Sequence, residues 1–132
     1  MLDKIPLLLI GLLEIVTGLG IITFWILFFT TELMAPENPP EGYFAHEHAF
    51  VWPDSLMALG LVLAGILLIL KVPAGGSVSL VCSGGLMFLG IIDLAYDTAN
   101  GLFQAGILEA AQNAAIDLWV LVFGIFLVIR FV

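Results

Sequence analysis

The chain has 132 residues, the length of one domain, and 62% of them are hydrophobic while only 11% are charged. Soluble domains are about 45–50% apolar and about 25% charged, so this composition excludes an ordinary soluble protein. Eleven acidic residues against three basic ones give a net charge of −8. This balance argues against a nucleic-acid partner, because nucleic acid requires a basic face.

Four apolar segments of membrane-spanning length account for the composition. We expect helices at about residues 5–30, 53–71, 77–100 and 108–130, with a polar outer loop over 31–52. A helix of about 20 residues, rising 1.5 Å per residue, crosses a hydrocarbon core of about 30 Å. The predicted fold is therefore an all-α integral membrane protein, with residues 1–132 forming one transmembrane domain, a four-helix bundle.

Proline and glycine mark the predicted helix ends. Pro53 is expected at the first position of the second helix, where its missing N–H costs nothing. The sequence Pro73-Ala74-Gly75-Gly76 predicts a tight turn before the third helix. Asn100-Gly101 predicts the end of that helix, because glycine readily adopts the left-handed conformation that follows a helix.

The few basic residues predict the orientation of the bundle. Lys4, Lys71 and Arg130 all fall on the same side of the membrane if four helices alternate in direction. The positive-inside rule places that side in the cytoplasm. We therefore expect a multi-pass protein of the cell membrane, with both termini cytoplasmic and most of the acidic residues outside.

Every predicted helix carries at least one carboxyl group. Asp93 and Asp97 lie one helical turn apart, and Tyr96 borders their face. An ionised carboxylate in hydrocarbon is unfavourable by several kcal/mol, and no lysine or arginine is available at this depth. Protonation, a water-filled cavity open to the outside, or a shared cation could each compensate. The predicted site residues are Glu14, Asp54, Asp93, Tyr96, Asp97, Asn113 and Asp117.

The acids receive different roles according to their predicted depth. Asp93 and Asp117 are expected as inner ligands, Asp54 and Asp97 as the mouth of a pocket, and Glu14 as its floor. Alternative interpretations stay open for each of them. Asp54 could only favour the N-terminal dipole of its helix, and Asp97 could only occupy the headgroup layer. The deeper acids could instead form hydrogen bonds between helices that merely hold the bundle together.

The outer loop contains the sequence His46-Glu47-His48. Histidine is a common metal ligand, and on an extended chain residues two apart point to the same side. His46 and His48 are therefore candidate ligands for a bound metal ion, the only cofactor that the sequence suggests. The competing interpretation is that both are solvated loop residues.

Three classes of function remain open. The leading hypothesis is a small integral membrane protein with an outward-facing acidic pocket that binds or transports a cation, either a metal ion, a proton or an organic amine. The second is an enzyme acting on a lipid or isoprenoid at the outer leaflet, with paired carboxyl groups as acid and base. The third is a structural or accessory subunit of a larger complex. Small residues such as Gly60 and Ala64 allow close helix contacts, including those of a homo-oligomer.

Overall fold

A computed structural model describes all 132 residues, and it confirms the all-α, four-helix architecture. No strand occurs. The helices are α1 (Leu7–Thr30), α2 (Tyr43–His48), α3 (Val51–Ile69), α4 (Ala74–Ala99) and α5 (Ile107–Phe131). The short helix α2 precedes α3, and together they form the second of four segments long and apolar enough to cross a membrane. The chain is thus a small multi-pass membrane protein.

The long helices pack in chain order: α1 against α3, α3 against α4, and α4 against α5. Consecutive helices are antiparallel. The 3₁₀ turn at Leu2–Lys4 contacts α5, and Gly76 faces the ring of Phe131. Lys4, Lys71 and Arg130 therefore share one end of the bundle, which we call the basic end. The opposite end, with residues 31–50 and 100–106, is the acidic end.

Glycines bring α1 and α3 into backbone contact. A Cβ atom on Gly11 would lie 2.7 Å from the Gly65 carbonyl oxygen, and one on Gly65 would overlap the Gly11 carbonyl oxygen. Nearer the middle of α1, a Cβ on Gly18 would lie 2.6 Å from the Ala58 carbonyl oxygen. Membrane helices have no hydrophobic force between them, so close van der Waals contact of this kind holds them together.

Helices α4 and α5 meet through two further glycines. A Cβ on Gly90 would lie 2.8 Å from Leu121 Cβ, and one on Gly124 would lie 3.0 Å from the Ser83 carbonyl oxygen. The main hydrophobic core joins all four long helices, with the side chains of Ile10, Leu61, Leu68, Cys82, Leu86, Val120, Phe123 and Leu127. A second cluster near the acidic end consists of Trp25, Phe28, Tyr43 and Leu102.

The second membrane helix begins earlier than predicted. Residues 31–52 were expected to form a loop, but they include α2 and the first two residues of α3. Pro53 is consequently the third residue of α3 and not the first. Proline is tolerated there because the first four N–H groups of a helix have no partner within it.

The predicted turn at Pro73-Ala74-Gly75-Gly76 is wrong, because α4 already begins at Ala74. Glycine is needed inside this first turn, since a Cβ on Gly75 would lie 3.0 Å from the amide nitrogen of Leu68. We expected these glycines to form a turn. At Gly75, however, glycine is required because α4 packs closely against Leu68 of α3.

The chain reverses between α3 and α4 at Lys71. This residue has a φ of 59°, in the left-handed region. Its N–H donates to the Leu68 carbonyl at 3.0 Å, and the N–H of Val72 donates to the Leu67 carbonyl at 2.9 Å. These two bonds form a complete Schellman motif, a termination in which glycine is usual at the position of Lys71. The predicted end of the next helix is confirmed: α4 stops at Ala99, and Gly101 follows with a φ of 70°.

Candidate functional site

A cavity of about 450 Å³ lies in the acidic half of the bundle. Helices α1 and α5 line its two sides, while α3 and α4 line its back. Residues 33–36, which we call the roof segment, line it from the acidic end. Of its 26 lining residues, 15 are hydrophobic, so the cavity combines an apolar surface with a limited number of polar groups.

Six carboxyl groups line this cavity, and no lysine or arginine does. They come from four different helices, so the chain fold brings them together from distant parts of the sequence. The six residues are Glu47, Asp54, Asp93, Asp97, Glu109 and Asp117. All three basic side chains belong to the opposite end of the molecule. The cavity is therefore a strongly acidic region without a protein counter-charge.

The carboxyl groups of Asp97 on α4 and Asp117 on α5 lie within hydrogen-bonding reach of each other. Both residues are buried, at 8% and 3% exposure. Two carboxylates at this separation repel each other unless they share a proton or hold a cation between them. The Asp117 Oδ2 atom is buried and has no hydrogen-bond partner in the protein.

Asp54 is held in place from the neighbouring helix. The indole N–H of Trp25 donates to Asp54 Oδ2 at 3.1 Å, and both residues are buried. This bond links α1 to the start of α3. Asp54 is the fourth residue of α3 and lies in its first turn, so the helix dipole also favours its negative charge.

The polar residues at the start of α5 connect this helix to the loop above the cavity. Glu109 Oε1 accepts a hydrogen bond from the backbone N–H of Glu37 at 3.1 Å. The amide nitrogen of Gln112 lies 3.5 Å from the sulfur of Met34 in the roof segment. Asn113 also lines the cavity, one turn from Asp117. The roof segment is thus attached to α5 on the side facing water.

Glu14 was expected to form the floor of the pocket, but it does not line the cavity. It is completely buried against α4, and neither of its carboxyl oxygens has a hydrogen-bond partner. The nearby Ser79 hydroxyl donates its proton to the Gly75 carbonyl at 2.9 Å. Thr17, one turn along α1, takes the place predicted for Glu14. Depth alone suggested the role, and depth does not determine the direction in which a side chain points.

Tyr96 lies outside the cavity lining as well. Its ring stacks on the imidazole of His46, with centroids 3.7 Å apart and planes inclined by 8°. His48 instead packs against the rings of Phe28 and Phe29. Residues two apart on a helix point in nearly opposite directions, so α2 separates the two imidazoles. No group of three or more histidine, cysteine and acidic residues is arranged to hold a metal ion.

The cavity residues absent from the predicted site include two acids, Glu47 and Glu109, and two tryptophans, Trp25 and Trp119. Glu47 was assigned to a loop, yet its spacing of seven from Asp54 would place both on one face if α2 and α3 were read as nearly continuous. Nothing in the sequence indicates the bond between Trp25 and Asp54, because it joins residues on separate helices.

No protein-family model, curated protein or solved structure matches the chain. The carboxyl-lined cavity is therefore the feature from which a function is inferred.

Proposed function

We propose that this membrane protein binds a cation in its acidic cavity. One observation carries the proposal: Asp97 and Asp117 bring their carboxyl groups within hydrogen-bonding reach in a cavity that no lysine or arginine lines. A bound cation would remove the repulsion between the two carboxylates and would compensate the buried Asp117 carboxylate, whose Oδ2 has no hydrogen-bond partner in the protein. Low polarity around buried charges strengthens such an attraction relative to water.

The other acids have supporting roles in this proposal. Asp93 lies one turn before Asp97 on α4, nearer the basic end, and adds a third carboxyl group at the deeper part of the cavity. Asp54, held by Trp25, contributes negative charge from the opposite side. Asn113 offers an amide group that can donate or accept a hydrogen bond beside Asp117.

The depth of the cavity favours binding over open conduction. The cavity ends near the middle of the bundle, where Thr17 and Trp119 are its deepest polar residues. From there to the basic end the helices are joined by the buried core and by the contact between Gly11 and Gly65. A cation could cross only through a second conformation, so transport would require α1 or α5 to move.

The orientation belongs to the same proposal. Because Lys4, Lys71 and Arg130 share one end, the positive-inside rule favours a cytoplasmic basic end in the cell membrane. The acidic cavity would then lie in the outer half of the bilayer.

Thermal unfolding of the purified protein in detergent tests cation binding. We would compare the wild type with Asp97→Asn and Asp117→Asn, in the presence of sodium, calcium, manganese, tetramethylammonium and octylammonium ions. Asparagine keeps the shape of the acid and removes its charge. A cation at about 100 times its Kd should stabilise the wild type by about 2.7 kcal/mol and should have little effect on either variant.

Glu41→Gln is the matched control, because Glu41 is an exposed acid outside the cavity. This variant should respond to the cation as the wild type does. If no ion shifts the unfolding midpoint of the wild type, and the two asparagine variants unfold like it throughout, the acids only hold the helices together and the proposal is wrong.

A further inference from the structure

We infer that the cation is an amphipathic amine, and that it enters the cavity from the bilayer between α1 and α5. This inference rests on the proposed function and adds the ligand class and the route. Three features lead to it: the covered acidic end of the cavity, the separation of α1 from α5, and the apolar, aromatic lining around the carboxyl groups.

The direct route from water is covered by the roof segment, residues 33–36. These residues line the cavity. The chain is fastened to α5 within this segment, through Met34 to Gln112 at 3.5 Å, and directly after it, through Glu37 to Glu109 at 3.1 Å. A ligand arriving from the aqueous side would have to displace these contacts.

The side of the cavity is less well covered. Helices α1 and α5 share no extended backbone contact. A single side-chain hydrogen bond joins them, from the indole N–H of Trp119 to the Thr17 hydroxyl oxygen at 3.2 Å, near the middle of both helices. From this bond toward the acidic end, the two helices leave an opening that we call the α1–α5 gap.

Residues beside the gap line the cavity and are also exposed on the outside of the bundle. Val16 is 65% exposed, Ile116 is 37% exposed and Trp119 is 44% exposed. Gly20 is exposed too, and a Cβ atom there would meet nothing within 4 Å. All four lie well inside membrane-spanning helices. The gap therefore opens to the hydrocarbon of the membrane.

The lining of the cavity suits an apolar molecule with a positive group. A volume of about 450 Å³ falls within the range of drug-sized ligand sites, about 300–1,000 Å³. Aromatic rings of Phe24, Trp25, Tyr43, Phe50 and Trp119 line it together with the acids, and such rings attract organic ammonium groups. Asp117 of α5, 97% buried with one unpartnered oxygen, offers the charge inside the cavity. A hydrated inorganic ion would gain nothing from the apolar lining.

Two sources could supply this chemistry: a free lipophilic amine, or the ethanolamine headgroup of a membrane lipid. Both present an ammonium group attached to an apolar body. The test uses octylammonium as the probe, octanol as its uncharged counterpart, and tetramethylammonium as a cation without an apolar chain. The protein is placed in phosphatidylcholine nanodiscs, with or without added phosphatidylethanolamine.

Tryptophan fluorescence reports binding. Trp25 and Trp119 line the cavity, whereas Trp52 is 79% exposed outside it and is replaced by Trp52→Phe in every sample. Octylammonium should change the fluorescence at far lower concentration than octanol or tetramethylammonium. Asp117→Asn should abolish that preference. Competition by phosphatidylethanolamine would identify the lipid headgroup as the source, and its absence would identify a free amine.

Gly20→Leu tests the route, because it fills the α1–α5 gap. We expect the association rate of octylammonium, measured by stopped-flow fluorescence, to fall by about tenfold or more. Gly84→Leu is the matched control: Gly84 is also an exposed helical glycine with nothing within 4 Å of an added Cβ, but it lies away from the cavity. It should leave the rate unchanged. Ile116→Trp narrows the gap from α5 and should act like Gly20→Leu.

The outcomes separate this inference from the proposed function. Equal association rates for the wild type, Gly20→Leu and Ile116→Trp would overturn the route while cation binding stands. Tight binding of an inorganic ion, with no preference for octylammonium over octanol, would show that the ligand is not an amphipathic amine. The proposed function would again stand. If no cation binds and Asp117→Asn has no effect, both fail together.

Discussion

The two halves of this bundle are packed in opposite ways. In the basic half, α1 and α3 touch through their backbones at Gly11 and Gly65, and large aliphatic side chains such as Ile10 and Leu127 are fully buried. In the acidic half, α1 and α5 stand apart around a cavity of about 450 Å³ that six carboxyl groups line. One chain thus maintains a tightly packed half and a polar, open half along the same four helices.

The difference shows how a membrane protein can tolerate clustered acids. Association of helices in lipid depends on van der Waals contact and interhelical hydrogen bonds, and small residues strengthen it by allowing close approach. The glycine contacts supply this attraction in the basic half, at Gly11 and Gly65, and near the middle of the bundle, at Gly18 and Gly90. They hold the helices together while the acidic half keeps Asp97 and Asp117 within hydrogen-bonding reach.

The acidic end is closed by aromatic side chains instead of glycine contacts. Tyr43 of α2 packs with Trp25, Phe28 and Leu102 in the second core cluster. The ring of His46 stacks on Tyr96, which joins α2 to α4. These rings are large enough to bridge helices that lie too far apart for backbone contact, so they cover the end of the bundle without filling the cavity.

The largest expected effect is in the accessibility of the two ends of the bundle, because each end lies either outside the cell or in the cytoplasm. Cysteines placed at Asn38 and Asn100, both exposed at the acidic end, should react with a membrane-impermeant thiol reagent on intact cells. Cysteines at Lys4 or Ala74, exposed at the basic end, should react only after lysis. The native Cys82 is buried and serves as the unreactive background. The reverse pattern would place the cavity in the inner half of the bilayer.

Gly65→Ala should damage the tightly packed half most. The added Cβ would overlap the Gly11 carbonyl oxygen and would lie 2.6 Å from Ile15 Cγ1, so α1 and α3 must move apart. We expect a loss of about 2 kcal/mol in the free energy of unfolding, the usual effect of overpacking. Gly84→Ala is the control, because its Cβ meets nothing. Equal unfolding midpoints for the two variants would contradict the idea that backbone contact holds this half together.

Glu14→Met examines the one acid that lies in the core and not in the cavity. Both oxygens of Glu14 are buried without a hydrogen-bond partner, and methionine has a similar shape without polar oxygens. Removing an unsatisfied buried group should raise the free energy of unfolding by about 1–2 kcal/mol. Cation binding should be unchanged, because Glu14 does not line the cavity. A less stable Glu14→Met protein would show that this acid forms a stabilising interhelical bond.

Lys71→Gly should have the smallest effect on stability and should raise the free energy of unfolding. Lys71 has a φ of 59°, which glycine adopts without steric strain. Relief of this strain, partly offset by the greater flexibility of glycine in the unfolded chain, should stabilise the protein by about 0.5–1 kcal/mol. Lys71→Ala serves as the control, because it removes the same charge and keeps the Cβ atom. Equal stability of the alanine and glycine variants would show that the backbone is not strained there.

The sequence by itself determined the number of membrane helices and their approximate positions, because hydropathy and helix rise depend only on local composition. It also placed Lys4, Lys71 and Arg130 at one end, and it identified Asp54, Asp93, Asp97, Asn113 and Asp117, which all line the cavity. Local signals located the end of α4 at Asn100-Gly101. They misplaced its start, because Gly75 serves contact with α3 and not a turn.

Only the tertiary structure decided which acids meet. Depth along a helix follows from residue number, but the angle at which a side chain points depends on which faces of neighbouring helices pack together. The contact between Gly11 and Gly65 sets the rotation of α1, and this rotation turns Glu14 into the core and Thr17 toward the cavity. Similarly, α2 is helical, and this separates His46 from His48 and brings Glu47 to the cavity. These orientations depend on contacts between segments that are distant in the sequence, and such contacts cannot be predicted from hydropathy along the chain.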